Sequence, residues 1–207
     1  MEVFGYDPAA NLLPCDGTVN YHGPVLDAGG AQRYYEALFR GVPWKNDEVT
    51  VFGKHHVTAR KVAWFGDPGL AYTYSGTTRQ PLPWSGELLE LKVLAERISG
   101  ACFNSCLLNL YHHGDEGMGW HSDNEKSIVP HSAIASLSFG AAREFRFKHK
   151  QLPATAKVLL ESGSLLVMKD ATQTHWLHSI PKSKKILTPR INLTFRCMVG
   201  RGGESFI

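Results

Sequence analysis

From Gly100 onward the sequence changes period, and short runs of alternating apolar and polar residues follow one another at fairly even spacing. They are CLLNLYHH at 106–113, SAIASLSFG at 132–140, EFRFKHK at 144–150, SGSLLVMKD at 162–170 and RINLTFRCMV at 190–199. A period of two is the signature of strands that turn one face inward and one outward. Several such strands in succession predict an antiparallel barrel or jelly roll, whose interior is a pocket. Two helices precede them. In DAGGAQRYYEALFRGVPW, Ala31, Tyr34, Tyr35, Leu38 and Phe39 recur at helical spacing, and Gly41 with Pro43 stop the run. In WSGELLELKVLAERISG, Ser85 is placed to cap the start, Leu88, Leu91, Leu94, Ala95 and Ile98 form one face, and Gly100 ends it. Between the helices, VTVFGKHHVTARKVAWFG and LAYTYSGTT read as a hairpin and a strand joined by Gly and Pro turns. The expected fold is mainly β (α+β), with the helices packed outside one sheet.

The chain has 207 residues and 43% hydrophobic composition, which suits a single domain, 1–207, and is too apolar for disorder. The change of period divides it into an N-terminal extension, 1–100, and a β core, 101–207. No internal repeat or low-complexity tract appears. No run reaches the roughly 18 apolar residues that span a bilayer, so no membrane role is expected. The opening MEVFGYDPAANLLPCDG carries Glu2 and Asp7 and lacks the basic, apolar pattern of a secretory leader. Cys15, Cys102, Cys106 and Cys197 form no CxxC pair and read as reduced thiols. The expectation is a cytoplasmic monomer, near the nucleoid in a bacterium and nuclear in a eukaryote. The formal charge of +3 permits nucleic-acid binding without demonstrating it, so the placement of the charges matters more than their sum.

Three segments carry the chemistry. In GMGWHSDNE, alternation places His121 and Asp123 on one face, close enough to share an ion, although a surface His–Asp pair would read the same way. THWLHSIP adds His175 and His178 after the apolar run GSLLVM. Two imidazoles and one carboxylate form the facial triad that binds non-heme Fe(II) and leaves coordination positions open. Zinc hydrolases draw on similar ligands but have no use for a strand of paired arginines. His175 and His178 fall on opposite faces of a regular strand, so only one can join, and spacing does not choose between them. The third segment is Arg190-Ile-Asn192-Leu-Thr194-Phe-Arg196, whose polar face presents two guanidiniums, an amide and a hydroxyl. A barrel strand with one face in water could look like this too. Two guanidiniums so close repel unless an anion lies between them, and a dicarboxylate such as 2-oxoglutarate answers that need. Asn109 and Tyr111 alternate in the same way and could complete the polar wall.

HSDNE, THWLHSIP and PRINLTFR, together with NLY and SAIASLSFG, resemble the AlkB family of Fe(II)/2-oxoglutarate-dependent dioxygenases, in particular its double-strand-DNA repair branch. The resemblance extends over roughly residues 50 to 200, and its several motifs occur in order. It implies a double-stranded β-helix (jelly roll) with a β-hairpin nucleotide-recognition lid. It implies Fe(II) on His121, Asp123 and His178, with 2-oxoglutarate as cosubstrate and O2 as oxidant. Asn109, Tyr111, Arg190, Asn192, Thr194 and Arg196 become the 2-oxoglutarate residues, and His175 falls to an orienting role. The implied reaction couples decarboxylation of 2-oxoglutarate to hydroxylation of an N-alkyl carbon, which leaves as an aldehyde. The expected substrates are N-alkyl lesions such as 1-methyladenine and 3-methylcytosine in double-stranded DNA.

The N-terminal half supplies expected substrate contacts. The hairpin tip Val51, Phe52, Gly53 and Lys54 resembles a finger that fills the gap left by a flipped base, with Phe52 as the wedge, although a core Phe would fit the pattern as well. Tyr72 and Tyr74 share a strand face and resemble a base-stacking wall; an ordinary aromatic strand pair would match equally. Glu125 lies beside the iron motif, as does Asn124, which stands where the resembled pattern has an acid and so bears on the preference between cationic and neutral bases. Arg60, Lys61, Lys182, Lys184 and Lys185 would track DNA phosphates, and a solvated basic loop is the plainer reading of the three in PKSKK. Two other readings remain: the same chemistry on RNA such as methylated tRNA, and a lesion-binding protein that turns nothing over.

Overall fold

The computed structural model describes residues 7–51, 54–70, 72–74 and 77–199, with side chains omitted at 48–51, 54–56, 72–74 and 77–79. Its elements in chain order are β1 (Thr18–Pro24), α1 (Ala28–Gly41), β2 (Lys45–Val51), β3 (Lys54–Gly66), β4 (Tyr72–Tyr74), β5 (Thr77–Arg79), α2 (Gly86–Ser99), β6 (Ser105–Tyr111), β7 (Met118–His121), β8 (Ile134–Gly140), β9 (Arg143–His149), β10 (Thr155–Leu160), β11 (Ser164–Lys169), α3 (Thr172–His175), β12 (Trp176–Ile180) and β13 (Arg190–Arg196). A seven-stranded sheet runs β1-β11-β8-β13-β6-β3-β2, and a four-stranded sheet runs β10-β9-β12-β7. The two enclose the jelly roll. Among the described residues no helix is long and apolar enough to cross a membrane.

Both long helices begin and end where their sequence signals stand. Asp27 accepts a hydrogen bond from Gly30 N at 2.6 Å at the start of α1. Ser85 accepts from Leu88 N at 3.3 Å at the start of α2, and Gly100 closes that helix in the left-handed region at φ 69°. Tyr34 of α1 donates to Glu90 of α2 at 2.6 Å and ties the two together. Their apolar faces, with Leu38, Leu88, Leu91 and Ala95 buried, pack against Leu108, Leu137, Leu165, Leu193 and Phe195 of the large sheet. A second cluster fills the space between the sheets, with Tyr111, Phe145, Phe147, Leu166, Met168 and Trp176 at its centre.

This layering explains the two kinds of strand. The large sheet is covered by helices on one side and by the small sheet on the other, so β8 and β11 are buried almost throughout. The small sheet has one face in water, and β9 and β10 alternate in burial. The alternation that announced the fold is therefore clearest in the outer sheet.

Three features depart from the expected organisation. TVNYHGP forms β1, paired with β11, and TAKVLL forms β10; neither segment stands out in the sequence. His175 closes the helical turn α3 and lies outside the strand that carries His178. The hairpin β2–β3 is continuous with the large sheet, because residues 61–66 of β3 pair with residues 105–110 of β6. The N-terminal hundred residues thus supply three strands of the principal sheet.

Gly140 shows where glycine is required. Its φ is +81°, and an added Cβ would lie 2.4 Å from the Pro189 carbonyl oxygen and 3.0 Å from the Tyr35 ring. Gly100 shares the left-handed conformation but has open space around it. We expect Gly100→Ala to cost about 1 kcal/mol from backbone strain alone, and Gly140→Ala to cost several-fold more because backbone must shift. Denaturant midpoints of the two variants measure the difference.

Candidate active site

Strand β13 lies in the middle of the large sheet, between β8 and β6, and its polar face points into the roll. Ile191, Leu193 and Phe195 take the opposite face and pack under the helices. Arg190 is fully buried. One of its terminal nitrogens donates to Ser138 Oγ at 3.0 Å and to Asn192 Oδ1 at 2.8 Å. Its Nε and its other terminal nitrogen have no hydrogen-bond partner among the described residues. Burial pushes this guanidinium down to about 10, with the nearby Arg143 adding to the shift and Tyr111 opposing it. A buried cation with unpaired N–H groups is costly unless an anion completes it. Asn192 lies opposite Asn109 of β6, and Arg190 lies opposite Tyr111. Asn109 Oδ1 is also buried without a hydrogen-bond partner among the described residues.

At the other end of the same face, Arg196 donates to Asp123 Oδ2 at 2.7 Å. Asp123 is 5% exposed and its backbone N–H donates to Gln173 Oε1 at 2.9 Å. His121 ends β7 and is paired in register with His178 of β12. The His121 and His178 rings lie 4.2 Å apart between centroids, and His121 Nε2 is 3.8 Å from Asp123 Oδ1. One ligand atom from each of the three residues lies within 4.8 Å of the other two. His121 Nδ1 is 2.8 Å from the Gly119 carbonyl and donates to it, which leaves Nε2 as the nitrogen turned toward Asp123.

A β-bulge produces this convergence. His178 opposes His121 and Ile180 opposes Met118, so the single residue between them on β12, Ser179, faces two on β7, Gly119 and Trp120. The extra residue lets Met118 and His121 both face the interior, which a regular strand forbids. The expected alternation carrying His121 and Asp123 on one face is replaced by this bulge and by the turn after β7. The cavity they enclose is lined by Asn109, Tyr111, Asn192, Thr194 and Arg196 together with the His–Asp–His cluster. Phe145, Met118, Met168 and Ile180 form its apolar wall.

The charges are set by burial and by Arg196. Burial alone would raise the Asp123 carboxyl, but Arg196 first, then His178 and His121, hold it below the ordinary value. Burial pushes His178 down to about 3 against the pull of Asp123. Arg196 is held above its ordinary value because Asp123 outweighs the cost of its own burial. Neutral imidazoles and an ionised carboxylate are the protonation states that metal binding needs. The donor set therefore fits Fe(II), and the buried, half-satisfied Arg190 with Asn109 fits a carboxylate-bearing cosubstrate.

Not every expected residue converges. His175 stacks on His149 at 5.9 Å and belongs to the outer wall. Arg60 does not lie on a phosphate track: it is buried, ion-paired with Asp47, and donates to Met118 Sδ at 3.1 Å. Its charge is spent in holding β3 over β7. Lys61 is half-buried, whereas Lys182, Lys184, Lys185, Asn124 and Glu125 are exposed. Phe52 and Gly53 lie outside the described residues, and Val51, Lys54, Tyr72 and Tyr74 are described in backbone only. Gln173, Ser136, Ser138 and Arg143 do not stand out in the sequence. Arg143 is buried and donates to the Glu116 and Pro181 carbonyls, each at 2.9 Å, joining the loop before β7 to the loop after β12. No periodicity singles out Gln173 and Arg143, whose contacts run to loops that only the fold brings near, and Ser136 and Ser138 do not stand apart within the alternation of β8.

The sequence matches the 2OG-Fe(II) oxygenase superfamily over residues 18–196. It is 46% identical to the DNA oxidative demethylase ALKBH2 of Homo sapiens over 156 residues, covering 72% of this chain and 60% of that protein. To the DNA oxidative demethylase ALKBH2 of Mus musculus it is 44% identical over 198 residues, covering 90% of this chain and 81% of that protein. The chain thus spans less than two thirds of the human relative and about four fifths of the mouse one. In fold it resembles a Pseudomonas putida prolyl-4-hydroxylase, with TM-score 0.58 and 15% identity over 86% of this chain and 91% of that one.

The His178 shift sets the acid stability of the metal-free protein. Between its ordinary value of 6.5 and the folded value of about 3, the unfolded chain binds a proton that the folded chain refuses. The contribution is complete above 6.5 and is lost as the pH falls toward 3. Asp123 adds a loss of the same sign that begins at the ordinary carboxylate value of 3.8 and continues below it. Urea midpoints should therefore drop between about pH 7.5 and about pH 5, and the drop should be smaller in His178→Gln.

Proposed function

The chain belongs to the AlkB family of the 2OG-Fe(II) oxygenase superfamily, and from that premise we propose that it is an oxidative demethylase that removes N-alkyl lesions from DNA bases. The observation that carries this reading is one cavity that joins a two-imidazole, one-carboxylate cluster to a polar wall of Asn109, Tyr111, Asn192, Thr194 and Arg196, with Arg190 buried behind that wall and bonded to Asn192. The two ALKBH2 relatives bear the name DNA oxidative demethylase, which supports DNA as the substrate class.

His121, Asp123 and His178 would hold Fe(II), while Arg190, Asn192, Asn109, Tyr111, Thr194 and Arg196 would hold 2-oxoglutarate. When bound, the iron with 2-oxoglutarate and O2 supplies the oxidation of an N-methyl carbon, giving succinate, CO2, formaldehyde and the unmodified N–H base. The residues of the chain do the rest. Arg196 keeps Asp123 ionised, and Gln173 fixes the backbone from which that carboxylate projects. Arg190 offers its two unpaired N–H directions to a carboxylate, which is the charge-assisted geometry guanidinium favours. Phe145, Met118, Met168 and Ile180 keep water from the reacting carbon.

Residues 101–207 carry the cofactor residues in this reading, and 1–100 contribute the lid within one domain. The finer proposal is a monomer acting on double-stranded DNA. Phe52, flanked by Val51, Gly53 and Lys54, would fill the gap left by the flipped base, and Tyr72, Tyr74, Asn124 and Glu125 would surround that base. Lys182, Lys184 and Lys185, exposed on the loop before β13, would meet phosphates, with Lys61 at its edge.

The test is mass spectrometry of a duplex with one 3-methylcytosine, incubated with protein, Fe(II), ascorbate and 2-oxoglutarate under air. A loss of one methyl mass is expected, and Asp123→Ala should abolish both that loss and succinate release; unchanged activity in the variant overturns the iron assignment. Demethylation confined to a matched RNA strand overturns DNA as the substrate. Phe52→Ala should slow repair of duplex far more than of single strand, and equal slowing of both removes the wedge.

A further inference from the structure

The bulge that turns His121 inward turns its neighbour outward. Ser179 of β12 faces both Gly119 and Trp120, so Trp120 leaves the roll and stands 42% exposed on the outer face of the small sheet. An indole so exposed beside a metal ligand has no role in the core. The Lys148 ammonium lies 4.6 Å from the Trp120 ring centroid. Next to the ring runs a cleft whose floor is small, formed by Gly117, Gly119 and Ser179, and whose rim carries Arg146 and Lys182. The outward side chains of β9 and β10 add Lys157 and one acid, Glu144, which pairs with Arg146 and lies 3.9 Å from Lys157. Four cations, Arg146, Lys148, Lys157 and Lys182, against one acid leave this face positive.

An exposed ring, a shallow floor and a positive rim together suit a polyanion with flat, stackable groups, which is a nucleic-acid strand. Location narrows the occupant further. Met118 and Ile180 line both this cleft and the catalytic cavity, so a strand with one base in the cavity has its neighbouring nucleotides within reach of the cleft. We propose that Trp120 is a stacking platform for a nucleotide flanking the target base, with Arg146 and Lys182 facing the adjoining phosphates. This deepens the demethylase reading and rests on it. The platform is indifferent to which base it carries, because every base has a π face.

The test compares Trp120→Ala and Trp120→Phe on two substrates, a methylated oligonucleotide and the corresponding methylated mononucleotide, which is too short to reach the cleft. Trp120→Ala should raise KM for the oligonucleotide about tenfold with kcat unchanged, and should leave the mononucleotide kinetics as they were. Trp120→Phe should recover most of the loss, since an aromatic ring remains. By fluorescence anisotropy, binding of an unmodified oligonucleotide should weaken by the same factor, and Arg146→Gln should lower the salt slope by about one. Equal effects on both substrates, a fall in kcat, or a Phe variant no better than Ala would overturn the platform. If the wild type demethylates neither substrate while Trp120→Ala still weakens binding, the platform stands and the demethylase reading fails. Unchanged binding in Trp120→Ala overturns the platform whatever the catalysis.

Discussion

Two arginines buried on one strand face set the terms for this molecule. Arg190 and Arg196 point from β13 into the roll, where water does not compensate their charge. One end has its anion built in, the Asp123 carboxylate at 2.7 Å, and the other end has only neutral partners. A carboxylate-bearing ligand is what the second end lacks. Tyr111 gathers the surrounding charge, with the guanidiniums of Arg190, Arg143 and Arg60 at 5.6, 5.7 and 6.0 Å from its ring. Much of the architecture serves to hold these cations out of solvent.

The large sheet can bear that load because its other face is wholly apolar and backed by helices. Leu193 and Phe195 pack under α1 and α2, so β13 is fixed by its apolar half while its polar half does chemistry. The N-terminal strands add to this rigidity, since β1 and β3 are hydrogen-bonded into the same sheet. The small sheet has a different task. It carries His178 and His121 on paired strands, and its single irregularity, the bulge in β7, aims one residue at the cavity and the next at solvent.

Legibility of the site followed the same division. The Arg190 to Arg196 strand announced itself because four polar residues alternate with three apolar ones, and the structure differs from an ordinary solvent-facing strand in that the polar face is covered as well as the apolar one. Arg60 misled because a basic residue after a hairpin tip looks solvent-directed, and nothing local reveals that Asp47 waits across the hairpin. Gln173 was silent for a similar reason: its contact with Asp123 joins residues fifty positions apart. His175 and His178 could not be separated by counting, because the choice depended on where a helical turn gives way to a strand.

The sequence by itself determined the period-two strands, the two capped helices and the residue types of the site, since these depend on side-chain chemistry and on alternation along a single segment. Tertiary structure alone decided that the polar face of β13 is the interior, that His178 and not His175 meets His121, and that Trp120 faces out. The physical reason is that burial and register are properties of pairs of segments. A face becomes an interior only when a second sheet covers it, and a bulge exists only relative to the strand it opposes.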